Sequence, residues 1–140
     1  MTKNYKILTS YIKNVSSQIT DTESYIYLKE NIPKYSLGID INSIPLKNNM
    51  AVVNIKLNFS NKSEIDQKAY FEMTHSTIVR VEESAVNKGD LKKIFLSEVP
   101  TEMYPEIEKK FFEIVKSIGY PEIRLGKRID FKDLFEKNQK

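Results

Sequence analysis

Between Ala51 and Phe59 the chain alternates without a break. Ala51, Val53, Ile55, Leu57 and Phe59 share one parity, and Val52, Asn54, Lys56, Asn58 and Ser60 share the other. A two-residue period is what a strand with one buried face and one wet face requires, and no helix can use it. Three more segments read the same way. Tyr35, Leu37, Ile39 and Ile41 alternate with Ser36, Gly38, Asp40 and Asn42. A segment from about Lys68 to Glu82 carries Phe71, Met73, Val79 and Val81 on one parity. An N-terminal run ending near Ser17 places Tyr5, Ile7, Tyr11 and Val15 on one parity, and Leu8 and Ile12 on the other. Lys47-Asn48-Asn49 and Asn61-Lys62-Ser63 are short polar turns, which imply antiparallel pairing. The stretch from Gln18 to Lys34, between the first two strands, has no clear period.

After residue 90 the period changes to that of helices. Asp90 is positioned to cap a short turn holding Leu91, Ile94 and Phe95, which Pro100 interrupts. Met103, Ile107, Phe111, Ile114 and Ile118 form a stripe at helical spacing, with Pro105 expected in the first turn and Gly119 as the stop. Tyr104, Phe112 and Val115 widen that stripe to roughly half the circumference. A helix lying on one sheet needs less, so a second contact is implied, either another subunit or a loop over Phe112. Asp130 opens a last helix with Phe131, Leu134 and Phe135 on one face. Strands first and helices after make an α+β chain. Its 140 residues suit a single domain, 1–140.

Several kinds of chemistry lack their residues. With no cysteine there is no disulfide, thiolate metal site or cysteine nucleophile. His75 is the only histidine, set mid-strand on the parity of Phe71 and Met73, and reads as structural or solvent-facing. The four glycines make no phosphate loop. We therefore expect no enzyme and no cofactor. Net charge is +3, but the basic residues are dispersed and nearly all lysine, so the alternative of a basic nucleic-acid-binding module has little to read bases with. No run approaches the roughly 18 apolar residues of a membrane span. The N-terminal residues lack the apolar core of an export signal, and the expected address is the cytosol.

Two connecting segments are unusually apolar. Tyr25, Ile26, Tyr27, Leu28 and Ile32 fall between the first two strands, and Tyr120, Ile123 and Leu125 follow the long helix. Such segments either pack on the body or line a groove, and a groove of this kind holds its ligand through buried apolar area.

The order of several short motifs resembles the SecB export-chaperone family over nearly the whole chain. Tyr11-Ile12-Lys13-Asn14-Val15-Ser16 is similar to its first-strand signature. Phe71-Glu72-Met73 with Ile78-Val79-Arg80-Val81 resembles its fourth strand. Val99-Pro100, Met103-Tyr104-Pro105, Tyr120-Pro121 and Asp130-Phe131-Lys132-Asp133-Leu134-Phe135 follow its C-terminal pattern in order and spacing. The resemblance implies a four-stranded antiparallel sheet followed by a long and a short helix, assembling as a dimer of dimers. It implies an ATP-independent chaperone that holds unfolded preproteins and hands them to the SecA motor, without inserting in the membrane. Candidate client contacts become Tyr25, Tyr27, Leu28, Ile32, Tyr120, Pro121, Phe131 and Phe135. The acidic patch that meets SecA falls on Asn14, Gln18 and Glu72, with Tyr70 beside it. Only Glu72 is acidic here, and Ser76-Thr77 stands where the family has a glycine pair. A SecB-like chaperone dedicated to one partner, such as an antitoxin, is the alternative within this fold.

Overall fold

The alternating segments pair into one antiparallel sheet in the order β1-β4-β3-β2, formed by β1 (Tyr5–Ile19), β2 (Ser36–Pro45), β3 (Met50–Ser60) and β4 (Ala69–Val81). The computed structural model describes residues 4–61, 69–82, 88–123, 131 and 133. β2 and β3 join through a tight hairpin. Asn48 and Asn49 both adopt positive φ, 62° and 60°, the twist that a two-residue hairpin turn needs and that asparagine tolerates.

The parity expected for β3 and β4 holds. Val53, Ile55, Leu57, Phe71, Met73 and Val79 are buried under the helical layer. β1 differs from its expected parity. The register slips between Ile7 and Thr9 and again between Ile12 and Asn14. Each extra residue reverses the facing of everything beyond it. Ile12 and Val15 thus pair with His75 and Met73 on the face of Tyr5 and Ile7, while Tyr11 turns to the opposite face beside Ser76. β1 also runs two residues past the expected end, to Ile19.

The aperiodic crossover contains a helix, α1 (Thr22–Glu30), and a 3-10 turn, Ile32–Lys34. Asp21 caps α1: its Oδ1 accepts from the Ser24 N–H and the Ser24 hydroxyl, both at 2.7 Å. Sequence periodicity misses α1 because only Ser24 and Leu28 are buried along it, too few to make a stripe.

The second half is one continuous helical run rather than two separated helices. α2 (Lys88–Lys93) passes through a π turn at Ile94–Glu98 into α3 (Val99–Ile118). Asp90 therefore lies inside α2 rather than capping it. Pro100 does not break the run, because it follows the place where the ladder shifts register: the Val99 N–H donates to the Ile94 carbonyl, five residues back. Pro105 lies inside α3 instead of in its first turn. It leaves the Thr101 carbonyl without its helical donor, but both residues are exposed, so water can serve that carbonyl. The buried stripe is Val99, Met103, Ile107, Phe111 and Val115, and Ile118 is exposed.

α3 lies along the sheet in a known direction. Its first turn is tied to the start of β1, where the Tyr5 hydroxyl donates to Glu102 Oε1 at 2.9 Å. Its far end reaches the end of the sheet where Phe59 pairs with Phe71. Of the expected last helix, Phe131 and Asp133 are described and helical; Leu134 and Phe135 lie outside the described residues.

Candidate binding cleft

The end of α3 builds the cleft. Gly119 sits at φ 111°, and its N–H donates to the Lys116 and Val115 carbonyls; the Tyr120 N–H returns to Val115 at 3.0 Å. This left-handed stop is the expected role of Gly119, and it turns Tyr120 back onto the sheet. There the Tyr120 ring meets Phe59 at 6.2 Å and Phe71 at 6.5 Å, and both of those rings meet Phe111. Burial pushes the Tyr120 hydroxyl up to about 12, so it stays neutral in any ordinary buffer.

Outside this cluster lies a cleft of about 630 Å³ between the last turns of α3 and loop 120–123, lined by Phe112, Val115, Lys116, Tyr120, Pro121, Glu122 and Ile123. Its walls are aromatic and aliphatic, with one lysine and one glutamate. A site of this size and lining takes large apolar side chains and asks little of their sequence. Phe112 is half-buried, packs edge-on to Phe111 at 5.4 Å, and faces the loop. A loop over Phe112 is thus one source of the wide apolar arc of α3.

The expected client contacts fall into distinct places. Tyr25 comes to the cleft's edge, its hydroxyl donating to the Gly119 carbonyl at 2.7 Å in an exposed position. Tyr27 is half-buried and accepts from Asn61 Nδ2 at 3.0 Å. Ile32 packs partly on the core, and Pro121 lines the cleft. Leu28 and Tyr120 are different: Leu28 is 0% exposed and Tyr120 6%. Tyr120 forms part of the cleft's floor, and Leu28 belongs to the core cluster and not to the cleft's lining. Phe131 is also buried, against Tyr104 with ring centres 5.2 Å apart. Tyr104 lies near the start of α3, roughly 20 Å of helix from Gly119, so Phe131 is not gathered with Tyr25 and Tyr120. Phe112, Val115, Lys116 and Glu122 were not among the expected contacts. The signal for the first two was the excess width of the apolar arc; Lys116 and Glu122 have no sequence signal beyond their places beside Val115 and Pro121.

The four residues implied for SecA do come together. Gln18 pairs with Tyr70 and Ser16 with Glu72, and Asn14 sits opposite Thr74, all on the face away from α3. Glu72 there is already engaged, accepting from Asn58 Nδ2 at 2.8 Å and lying 3.7 Å from Lys56 Nζ. The same face carries a hydrogen-bonded row, Ser76 to Asn54 at 2.6 Å and Asn54 to Asn42 at 3.0 Å.

His75 is fully buried under α3, the structural and not the solvent-facing role. Lys110 Nζ donates to its Nε2 at 3.2 Å, which leaves the ring proton on Nδ1. Burial and then the Lys110 charge lower its pKa from 6.5 to about 4, against an opposing pull from Glu106.

Comparison with known proteins agrees with this architecture. The family model for preprotein translocase subunit SecB matches residues 1–140. The chain is 44% identical over 136 residues to a putative protein-export protein SecB of Pelagibacter ubique, covering 97% of each. It is 23% identical over 132 residues to a protein-export protein SecB of Mesorhizobium japonicum, covering 93% of this chain and 76% of that one. Among solved structures, a SecB-like chaperone of Mycobacterium tuberculosis in complex with an antitoxin peptide superimposes with a TM-score of 0.66 at 11% identity, covering 90% of this chain and 91% of that one. By sequence along its whole length, and with an α+β sheet-and-helix fold to match, the chain belongs to the SecB family of protein-export chaperones.

Proposed function

We propose that this protein is an ATP-independent holdase that keeps unfolded preproteins competent for export, and that its clients enter the cleft between α3 and loop 120–123. The observation that carries the reading is the cleft itself: five apolar side chains around about 630 Å³, with Tyr25 of α1 reaching Gly119 at its edge. Tyr25, Tyr27, Ile32 and Pro121 are the proposed contacts, with Phe112 and Ile123 beside them; Tyr120 supports the cleft from beneath, whereas Leu28 is packed in the core and Phe131 lies apart against Tyr104. Phe135 remains a proposed contact from its sequence position. An unfolded preprotein diluted with this protein, without nucleotide, should stay in solution at near-stoichiometric ratio. Phe112→Gln with Ile123→Gln should weaken that protection in a folded protein. Undiminished protection in the double variant would remove the cleft from the account.

The same reading includes a dimer of dimers in the cytoplasm. It is supported by β1, an edge strand that exposes Leu8, Tyr11, Ile12 and Val15. The expected native mass is four times 16.3 kDa, about 65 kDa. Hand-off to SecA would use Asn14, Gln18, Tyr70 and Glu72. With Glu72 beside Lys56, attraction to a basic segment is weak and fades with salt. A chaperone reserved for one partner is the second reading, favoured by the antitoxin peptide on the Mycobacterium tuberculosis relative of this fold. Pull-downs dominated by a single protein, with indifference to general unfolded chains, would select it.

A further inference from the structure

α1 is held lightly for an element next to a binding cleft. Its nine residues are fewer than a helix needs to persist alone in water. Leu28 is its one fully buried apolar side chain, and Ile26 is 48% exposed. The Tyr25 ring packs partly on the core and its hydroxyl donates directly to the Gly119 carbonyl in an exposed position, and Tyr27 is bonded to Asn61. α1 lies against β1 and β4, at the end of the sheet where Ile19 pairs with Ala69. That end carries the densest run of rings among the described residues: Tyr35 to Phe59 at 5.4 Å, then Tyr120, Phe71 and Phe111. The Tyr35 hydroxyl bonds the Ala69 carbonyl there, independently of α1.

We infer that α1 is a displaceable strap, and that Leu28 occupies a subsite which a client's large aliphatic side chain takes when α1 lifts. The inference rests on the client-binding reading above and names the chemistry of a further position in it. The resting occupant defines what fits: a leucine, isoleucine or methionine, since a leucine fills the place without residual exposure. Tyr25 is the latch. Its hydroxyl joins the strap to the residue preceding Tyr120, so releasing it opens the aromatic end of the sheet into the cleft as one surface. While α1 is down, apparent client affinity is reduced by the fraction of molecules that are open.

Tyr25→Phe removes the latch and keeps the ring. Asp21→Ala weakens the strap by removing its N-terminal cap on Ser24. Binding of reduced, carboxymethylated lysozyme should tighten about three- to tenfold in Tyr25→Phe and in the same direction in Asp21→Ala. Amide exchange across 22–30 should quicken in both, with β3 and β4 unchanged, and should quicken in the wild type when the lysozyme chain is added. Weaker or equal binding in Tyr25→Phe would overturn the inference, and so would added protection of 22–30 on binding, which would make α1 a fixed wall. Exchange of 22–30 only together with the core would overturn the strap even if clients bind. If neither wild type nor variants bind the lysozyme chain, the holdase reading falls first and the subsite with it.

Discussion

α3 and α1 are both capped helices packed on the same sheet, and they are stabilised in opposite ways. α3 has 20 residues, buries Met103, Ile107, Phe111 and Val115 in file, and ends in a glycine stop with three backbone bonds. α1 has nine, fully buries one leucine, packs Tyr25 only partly on the core, and is tied further by the hydroxyls of Tyr25 and Tyr27. Burial of a full stripe contributes several kcal/mol, whereas a hydroxyl bond contributes about 1 kcal/mol. The molecule thus places its stability in α3 and the sheet, and leaves the cleft's border to an element that opens at little cost.

The contrast can be broken from the α3 side first. Phe111→Ala removes the ring at the centre of the aromatic cluster and should lower global stability by about 3–5 kcal/mol in urea titration. A loss of less than about 1 kcal/mol would mean α3 is no firmer than α1. Acid probes the same core through His75. Its folded pKa is depressed to about 4 from 6.5, so the neutral buried ring adds stability that is complete above pH 6.5. As pH falls, the unfolded chain binds a proton that the folded one refuses, and about 3 kcal/mol is lost by pH 4. Carboxylates contribute below about pH 5, so the readout is the difference between wild type and His75→Gln, in which the slope from pH 6.5 downward should flatten.

Gly119→Ala sharpens the boundary between α3 and the cleft. An added Cβ meets nothing within 4 Å, so the cost comes only from holding φ at 111°, about 1–2 kcal/mol by thermal or urea unfolding. A neutral result would mean that loop 120–123 relaxes out of its stop. The smallest effect belongs to α1. Asp21→Ala removes a cap worth about 1 kcal/mol. It should appear in amide exchange across 22–30 and barely in the unfolding midpoint. A midpoint shift equal to the full value would tie α1 into the global unit and erase the contrast.

How legible each part was follows from the range of the interactions that define it. β3 and β4 have partners on both sides and one continuous buried face, so Val53, Leu57, Phe71 and Met73 announce their facing by alternation. β1 has a free edge and two bulges, and no two-residue period survives a bulge; Tyr11 and Val15 share a parity but face opposite ways. Pro100 and Pro105 read as boundaries because their effect on an isolated helix is a break, whereas a π turn and exposure to water accommodate them here. The cleft was legible as two apolar segments of the chain, but not as a list of which side chains stay at the surface.

The sequence by itself determined the four strands, their antiparallel pairing, the long helix with its glycine stop, the shared parity of His75 with Phe71 and Met73, and the family. The structural features rest on periodicity and backbone chemistry within a few residues, and the family on the order of short motifs along the whole chain. Only the tertiary structure decided the slips in β1, the existence of α1, the burial of Leu28 in the core and of Tyr120 beneath the cleft, and the separation of Phe131 from the cleft. Each of those depends on which surface a side chain meets after the chain has closed on itself, at separations such as the 94 residues between Tyr25 and Gly119. Local pattern carries no record of such distant contacts.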